Sequence, residues 1–200
     1  MTDKIDFWFS VGSTYTYLAV SRLGDVERET GVQFNWRPFS VRAIMQEMNN
    51  VPFIGKQAKI NYMWRDIGRR ASKYGLSPKL PAQYPLKEFD LVNRVAVLAQ
   101  IEGWCPAFVR SSYQLWFEEG MPAGEEPNLS RSIKEAGQEP ARIIIRAQSE
   151  EGERAYEKAT DEARALGLFG SPTFVVGGAE LFWGEDRLED AIEYLRATRD

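Results

Sequence analysis

The sequence contains no histidine, and its 200 residues include a single cysteine, Cys105. Without histidine, the chain lacks the usual general base, the partner of a nucleophilic serine and the commonest metal ligand. One cysteine excludes an internal disulfide and a Cys-x-x-Cys redox pair, which argues against a dithiol oxidoreductase. No acidic cluster has the spacing of a metal site, so we predict no metal. We interpret Cys105 as a small, buried apolar side chain.

The chain also lacks any apolar run of about 18 residues, the length that a membrane-spanning helix requires. Its N-terminus leads directly into a predicted strand, without the pattern of a cleavable leader. We therefore expect a cytoplasmic protein that does not bind membranes. A net charge of −4 gives no reason to expect nucleic acid as a partner. The length is that of one domain, or of one domain with a large insertion.

The stretch from Ile5 to Ala19 organises the rest of the prediction. Residues 5–10 are apolar and aromatic, as in a buried strand, and Gly12 separates them from a helical pattern at 13–29. Ser13 lies at this break. Its hydroxyl oxygen can cap the new helix, or the hydroxyl can point at an anion bound to the positive helix end. The neighbouring residues do not decide between these roles.

The remaining pattern predicts a β-α-β unit, a long helical segment and a β-β-α unit. Residues 32–37 alternate as a second strand, and Gly177-Gly178 joins two short strands in a tight hairpin. In the last helix we expect Asp186 as the N-cap, with Glu189 completing a capping box. The helices predicted in the long segment cover residues 41–48, 56–74, 88–102, 104–118, 128–137, 139–147 and 150–166.

A proline, Pro172, stands directly before the predicted third strand. One alternative is an ordinary loop proline, since a strand tolerates proline at its first position. The other is a cis Ser171–Pro172 bond, which leaves the backbone N–H and C=O of Ser171 without sheet partners and able to pair with an extended peptide. The order β-α-β then β-β-α favours the second alternative, because in the thioredoxin fold a cis-proline faces the start of the first helix. That start is Ser13.

We therefore predict an α/β protein, a thioredoxin-like βαβ…ββα domain with a large all-helical insertion. Residues 1–38 and 167–200 would form the thioredoxin-like domain, and residues 39–166 the insertion.

Several motifs extend over nearly the whole chain. They are Phe7-x-Phe9 with Ser13 and Tyr17-Leu18-Ala19, Asn50-x-Pro52, Lys59-x-x-Tyr62-x-x-x-Asp66-x-x-Arg69, Asn93-Arg94, Phe169-Gly170-Ser171-Pro172-Thr173-Phe174 and Phe182-Trp183-Gly184-x-Asp186-Arg187-Leu188. With a serine at the helix start, this set resembles the 2-hydroxychromene-2-carboxylate isomerases of the DsbA group and the related kappa-class glutathione transferases. The family commonly has proline after the serine, where this chain has Thr14.

The resemblance implies a glutathione site in which the Ser13 hydroxyl donates to a thiolate and attacks nothing itself. We therefore predict that Ser13 has both roles, with its oxygen capping the helix start and its hydrogen turned to the thiolate. A helix N-terminus and a hydroxyl donor lower a thiol pKa from about 8.5 by one unit or more. Lys56 competes with Lys59 for the glycyl carboxylate, and Asp186 would bind the γ-glutamyl ammonium while also capping its helix. The glutathione-binding residues that the resemblance implies are Asn50, Pro52, Lys59, Ser171, Pro172, Asp186 and Arg187.

The resemblance also implies a second pocket, for a small aromatic substrate. We expect an apolar cleft near Trp64, Trp116 and Trp183, between the thioredoxin-like domain and the insertion. For Asn93 a purely structural hydrogen bond is an equal alternative. Asp66 and Arg69, three residues apart on a helix, are expected to form an ion pair. The residues assigned to the pocket are Tyr62, Trp64, Asn93 and Trp183.

The sequence thus favours a glutathione-dependent isomerase. The resemblance implies interconversion of 2-hydroxychromene-2-carboxylate and trans-o-hydroxybenzylidenepyruvate by reversible thiolate addition, in the degradation of aromatic compounds, by a homodimer. A kappa-class-like glutathione transferase is one alternative. A non-catalytic thioredoxin-fold module that binds peptides at the sheet edge is another.

Overall fold

A computed structural model of the chain describes residues 4–50, 53 and 55–198. In this part of the chain, a four-stranded sheet has the order β2-β1-β3-β4. Strand β2 is parallel to β1, whereas β3 is antiparallel to β1 and β4 is antiparallel to β3. The strands are β1 (Lys4–Phe9), β2 (Gln33–Pro38), β3 (Thr173–Val176) and β4 (Glu180–Trp183).

The helices follow the predicted order, and their bounds differ only slightly from the predicted ones. They are α1 (Thr14–Thr30), α2 (Val41–Glu47), α3 (Gln57–Lys73), α4 (Phe89–Glu102), α5 (Cys105–Gln114), α6 (Asn128–Glu135), α7 (Pro140–Gln148), α8 (Glu150–Ala165) and α9 (Leu188–Ala197). One predicted helix differs, because α5 ends at Gln114 and a π-helical turn continues it over Leu115–Glu119. None of the helices described is both long and apolar enough to cross a bilayer. The predicted fold class, an α/β domain with helices α2–α8 inserted between β2 and β3, is confirmed.

Strand β1 lies in the middle of the sheet, and its apolar sequence explains that position. Phe7 is fully buried, with its ring 5.1 Å from Trp36 on β2 and 5.4 Å from Phe174 on β3. A strand with neighbours on both sides and cover on its faces requires such a continuous apolar run. The end of β1 is consequently held inside the molecule, and Ser10 there is completely buried.

The chain turns at Gly12 to enter α1, and only glycine fits this position. Its φ is +117°, and a Cβ there would lie 2.7 Å from Cδ2 of the Phe89 ring. Both the backbone conformation and the close approach exclude a side chain. Helix α4, which carries Phe89, thus lies directly against the turn that leads to Ser13.

Helix α3 runs parallel to α1 and lies beside it. The contacts between the two helices occur in the same order along both: Thr14 with Met63 (3.1 Å), Tyr15 with Asp66 (3.0 Å), and Arg22 over the Tyr74 ring (4.1 Å). Asp66 also forms the predicted ion pair with Arg69, at 3.0 Å. The beginning of α3 therefore extends past the beginning of α1, where Ser13 lies.

Candidate active site

Ser13 and Ser171, 158 residues apart in the chain, meet in the structure. The Ser13 hydroxyl donates a hydrogen bond to the Ser171 carbonyl oxygen, at 2.7 Å. The Ser171–Pro172 peptide bond is cis. Both serines are half-buried, so a ligand can reach them from solvent. The sequence prediction that the start of α1 faces the segment before β3 agrees with this contact.

The prediction that the Ser13 oxygen caps α1 is wrong. Ser13 occupies the N-cap position, but its side chain accepts no N–H from the helix, because the hydroxyl is turned to Ser171. The first turn of α1 also contains no acidic residue. The positive end of the helix is therefore not compensated by a side chain and favours an anion next to the Ser13 hydroxyl.

Asn93 on α4 holds the turn that precedes Ser13. Its Oδ1 accepts from the Val11 N–H at 2.8 Å, and its Nδ2 donates to the Val11 carbonyl at 2.8 Å and to the Phe89 carbonyl at 2.7 Å. The side chain is completely buried. These bonds use the amide fully, so Asn93 lies behind the turn and acts on its backbone.

Tyr113 on α5 holds both ends of the same turn. Its hydroxyl lies 3.1 Å from the Ser10 carbonyl oxygen and 2.9 Å from the Ser13 carbonyl oxygen. Burial raises the pKa of Tyr113, so the phenol stays neutral and keeps its donor proton. Sequence reasoning missed this residue, since an aromatic side chain on an apolar helix face gives no sign that its hydroxyl binds a distant backbone.

The Ser171 side chain fixes its own segment against β1 and α1. Its Oγ accepts from the Ser10 N–H at 2.9 Å and lies 3.0 Å from the Thr16 hydroxyl. Within the described residues, no acceptor is found for the Ser171 backbone N–H, and its carbonyl binds the Ser13 hydroxyl. The Ser171 N–H is thus open to a ligand, and pairing of this backbone with an extended peptide stays a prediction.

Thr14, the position at which the family resemblance leads us to expect proline, has a defined partner. Its hydroxyl donates to Sδ of Met63 on α3, at 3.1 Å, and both residues are buried. Proline at the first position of a helix fixes the backbone. Here a contact between helices holds the start of α1 in place.

Lys59 lies on the face of α3 that contacts α1. Met63, Asp66 and Arg70 share this face, and Lys59 precedes Met63 by one helical turn, about 6 Å along the axis. Since Met63 contacts Thr14, Lys59 lies past the start of α1, on the side of Ser13. Its side chain is exposed and forms no ion pair within the described part of the chain. Lys56 instead occupies the N-cap position of α3.

Trp183 ends strand β4 beside the Ser171–Pro172 segment. A Cβ at Gly170 would lie 2.1 Å from Nε1 of Trp183, so the indole lies directly on the Gly170 backbone. The side chain is nevertheless 54% exposed. Gly184, the next residue, donates its N–H to the Pro172 carbonyl at 3.0 Å. Trp183 is therefore an exposed aromatic surface next to the Ser171–Pro172 backbone.

The predicted capping role of Asp186 is wrong. A 3₁₀ turn over Glu185–Arg187 precedes α9, whose N-cap position is Arg187 and whose first turn has no side-chain cap. The turn closes through the Arg187 N–H and the Gly184 carbonyl (3.2 Å), which moves the helix start past Asp186. The Asp186 carboxylate is exposed and lies 3.0 Å from the Arg187 guanidinium, which also contacts Asp190.

The remaining aromatic residues of the predicted pocket have different environments. Tyr62 is 61% exposed, and Trp64 is half-buried, 6.2 Å from the Tyr84 ring. Trp116 is completely buried, with its indole N–H donating to the Gln83 carbonyl at 3.1 Å. It is part of the core, so the prediction that it lines a cleft is wrong.

Among the described residues, we find no contact between Asn50 and Ser13 or Ser171. Asn50 is exposed after the end of α2, and its backbone N–H donates to the Met45 carbonyl at 2.8 Å. Pro52, the other residue of this predicted pair, lies outside the described residues. Both assignments stay predictions.

Cys105 is buried, as predicted, and burial raises the pKa of its thiol. A buried thiol with a raised pKa is unreactive. The chain itself therefore supplies no thiolate at Ser13, and any thiolate there has to come from a ligand.

Three comparisons with known proteins agree with this geometry. The family model of the DSBA-like thioredoxin domain matches residues 4–196. The chain is 29% identical over 197 residues to the 2-hydroxychromene-2-carboxylate isomerase of Sphingobium xenophagum, covering 98% of this chain and 99% of that protein. It is 24% identical to glutathione S-transferase kappa 1 of Caenorhabditis elegans, covering 96% and 91%. A solved structure of a 2-hydroxychromene-2-carboxylate isomerase matches with a TM-score of 0.84 at 24% identity, covering 98% and 97%. The resemblance indicated by the motifs is confirmed.

Replacing Tyr113 by phenylalanine tests how the turn at Ser13 is held. We expect Y113F to lower the free energy of unfolding by about 1–3 kcal/mol, because the buried carbonyls of Ser10 and Ser13 lose the one O–H that they share, although the Ser10 carbonyl keeps the Ser13 N–H at 3.1 Å. Y156F is the matched control, since the buried Tyr156 donates to a side chain, Asp90 at 3.4 Å, and not to the backbone of this turn. Urea denaturation measures both losses, and hydrogen exchange at the Ser13 amide should rise in Y113F alone. Equal losses and equal exchange in the two variants would contradict this role.

Proposed function

The chain belongs to the family of DSBA-like thioredoxin domains, and we propose that it is a glutathione-dependent isomerase of the 2-hydroxychromene-2-carboxylate type. The reaction would interconvert 2-hydroxychromene-2-carboxylate and trans-o-hydroxybenzylidenepyruvate. The observation that supports the proposal most is the 2.7 Å hydrogen bond between the Ser13 hydroxyl and the Ser171 carbonyl. It joins a hydroxyl donor, an uncapped helix end and a peptide-binding backbone at one point. The similarity to proteins named 2-hydroxychromene-2-carboxylate isomerase supports the reaction class.

The residues present fit glutathione. The uncapped end of α1 and the Ser13 hydroxyl suit a thiolate, and the N–H and C=O of Ser171 suit the cysteinyl backbone. The exposed carboxylate of Asp186, with Arg187 beside it, suits the γ-glutamyl end. The exposed ammonium of Lys59 suits the glycyl carboxylate and is preferred to Lys56 because it shares the face of α3 that contacts α1. When bound, glutathione would supply a nucleophile that adds reversibly to the conjugated substrate.

Ser13 would act as a hydrogen-bond donor to sulfur. Its hydroxyl is already turned away from its own helix, so it can move from the Ser171 carbonyl to an anion without uncapping α1. No base has to deprotonate the serine, which fits a chain without histidine. A pKa lowered by one unit corresponds to about 1.4 kcal/mol of preference for the thiolate. Asn93 and Tyr113 would keep the donor in place, so little reorganisation is needed when charge develops.

The aromatic substrate would bind next to this point. Trp183, lying on the Gly170 backbone, and Tyr62, on the turn of α3 next to Met63, present large exposed rings. Trp64 is half-buried beside Tyr84 and Phe117. Rings of this kind bind flat apolar ligands through stacked or edge contacts.

A second candidate is a glutathione transferase of the kappa class, which the similarity to the Caenorhabditis elegans protein favours. The same residues would serve either reaction. Recovery of glutathione after turnover separates the two, because an isomerase returns it unchanged and a transferase consumes it. A peptide-binding module without catalysis would use the Ser171 backbone alone, and it would turn over neither kind of substrate.

Ser13→Ala is the first test of this proposal. We expect the variant to bind glutathione, to lose the ultraviolet absorbance of bound thiolate at neutral pH, and to lose about 10²–10³-fold in kcat. Its free energy of unfolding should fall by about 0.5–1.5 kcal/mol, since one hydrogen bond and no cap is lost. Ser21→Ala is the control, because Ser21 lies on the same helix and donates to the Tyr17 carbonyl at 2.8 Å. Full activity and an unchanged thiolate signal in S13A would refute the role of Ser13.

Lys59→Met tests whether Lys59 binds the glycyl carboxylate of glutathione. Wild type should bind glutathione about tenfold more tightly than its glycyl ethyl ester, and K59M should bind the two equally, because the charged partner is gone. Calorimetric titration measures both dissociation constants. K56M is the matched control and should keep the wild-type ratio. If K56M binds glutathione and its ester equally while K59M keeps the wild-type preference for glutathione, Lys56 and not Lys59 binds the glycyl carboxylate.

A further inference from the structure

Glu185 is a buried acid directly before Asp186. Its exposure is 1%, whereas Asp186 and Arg187 on the same turn are exposed. It occupies the unspecified position of the motif from Phe182 to Leu188, so the motif assigns it no role. A carboxylate is rarely buried this completely unless charged or hydrogen-bonded partners surround it.

The partners of Glu185 come from two helices. Its Oε1 accepts from Nε of Arg70 on α3, and the hydroxyl of Tyr74, the C-cap residue of α3, lies 3.3 Å from Oε2. Arg22 on α1 lies 3.9 Å from Oε2 through Nη1, and its guanidinium covers the Tyr74 ring at 4.1 Å. Glu185 thus joins the turn before α9 to α1 and to α3.

The other end of the turn is tied to the Ser171–Pro172 segment. The Gly184 N–H donates to the Pro172 carbonyl at 3.0 Å, and Gly184 has a φ of +117°. A Cβ at Gly184 would lie 2.5 Å from Oδ1 of Asp186, so the carboxylate folds back over this glycine. Besides the bond that closes the turn and the Arg187 ion pair, the bond to the Pro172 carbonyl and the buried carboxylate of Glu185 therefore help to fix the position of Asp186.

One hydrogen-bond donor near Glu185, on Arg22, has no acceptor within the described part of the chain. Nη1 of Arg22 is buried and has no hydrogen bond among the described residues, although it lies 3.9 Å from Glu185. A shift of about 1 Å in the turn would bring this pair to hydrogen-bonding distance. The Arg22 guanidinium therefore keeps an unused donor next to Glu185.

We propose that Glu185 is a positioning residue that holds Asp186 for the γ-glutamyl ammonium of glutathione. The inference rests on the proposed function. Through Arg70, Glu185 also links this turn to α3, the helix that carries Lys59. Binding at the γ-glutamyl end and the position of α3 are coupled through this buried cluster. A cluster that only stabilised the fold would affect every ligand of the site equally.

Glu185→Gln distinguishes a residue that positions Asp186 from one that only stabilises the fold. The comparison is between the binding of glutathione and that of cysteinylglycine, which lacks the γ-glutamyl group. The ratio of their two dissociation constants measures what the γ-glutamyl group contributes. In E185Q we expect this ratio to fall by roughly tenfold, within the usual range of coupling between sites. The dissociation constant of cysteinylglycine should stay within about twofold of wild type. Asp186→Asn, which removes the contact itself, should lower the ratio at least as much.

Glu162→Gln is the matched control. Glu162 on α8 pairs with Arg37 on β2, on the far side of β1 from β3, so the variant also removes a paired carboxylate but at a distant place. It should leave the ratio unchanged. Tyr74→Phe removes the 3.3 Å bond to Glu185 without leaving a charge unpaired, so it gives a smaller fall in the same ratio even if E185Q does not fold.

The outcomes are distinct. A wild-type protein that binds neither ligand refutes the proposed function, and this inference with it. A wild-type protein with a large ratio, together with a wild-type ratio in E185Q and Y74F, refutes this inference alone. An equal loss of affinity for both ligands in E185Q also refutes it, since that is the result of a purely structural cluster.

Discussion

The hydrogen bond from the Ser13 hydroxyl to the Ser171 carbonyl is the interaction on which the candidate site depends. It joins the first helix to the segment before the third strand, and it turns the hydroxyl away from the helix that it would otherwise cap. This orientation leaves the end of α1 open to an anion. It also places the donor next to the backbone that would hold the ligand's peptide.

The inserted helices hold the backbone on either side of this contact in place. Asn93 on α4 binds the Val11 backbone, Tyr113 on α5 holds the carbonyls on both sides of Gly12, and Met63 on α3 accepts from Thr14. Each is a polar or polarisable group inside an otherwise apolar interface. Fully satisfied groups of this kind favour one geometry, because any other arrangement leaves a buried donor or acceptor without a partner. The insertion is therefore part of the site as well as a cover for the sheet.

Much of the fold follows from local patterns in the sequence. The apolar run before Ser10 predicts the central strand, helical periodicity predicts α1 and α3, and Gly177-Gly178 predicts the hairpin. The meeting of Ser13 and Ser171 follows from the order of the elements together with the resemblance to the thioredoxin fold, in which a cis-proline faces the start of the first helix.

What could not be predicted depends on contacts distant in sequence. Asp186 has the spacing of a capping box, yet the 3₁₀ turn before α9 overrides it. The sequence around Tyr113 or Glu185 contains no local sign of their partners, which lie on other elements. Trp116 illustrates the reverse error, since aromatic content does not distinguish a cleft from a core.

The central claim is that the open end of α1 and the Ser13 hydroxyl stabilise a thiolate. It is tested most directly by a pH titration of glutathione labelled with carbon-13 at the cysteinyl Cβ and bound to the wild-type protein, with the free compound as reference. The chemical shift of this carbon reports the ionisation of the neighbouring sulfur. We predict a midpoint about one pH unit or more below that of free glutathione. The same midpoint in the bound and free states would contradict the claim.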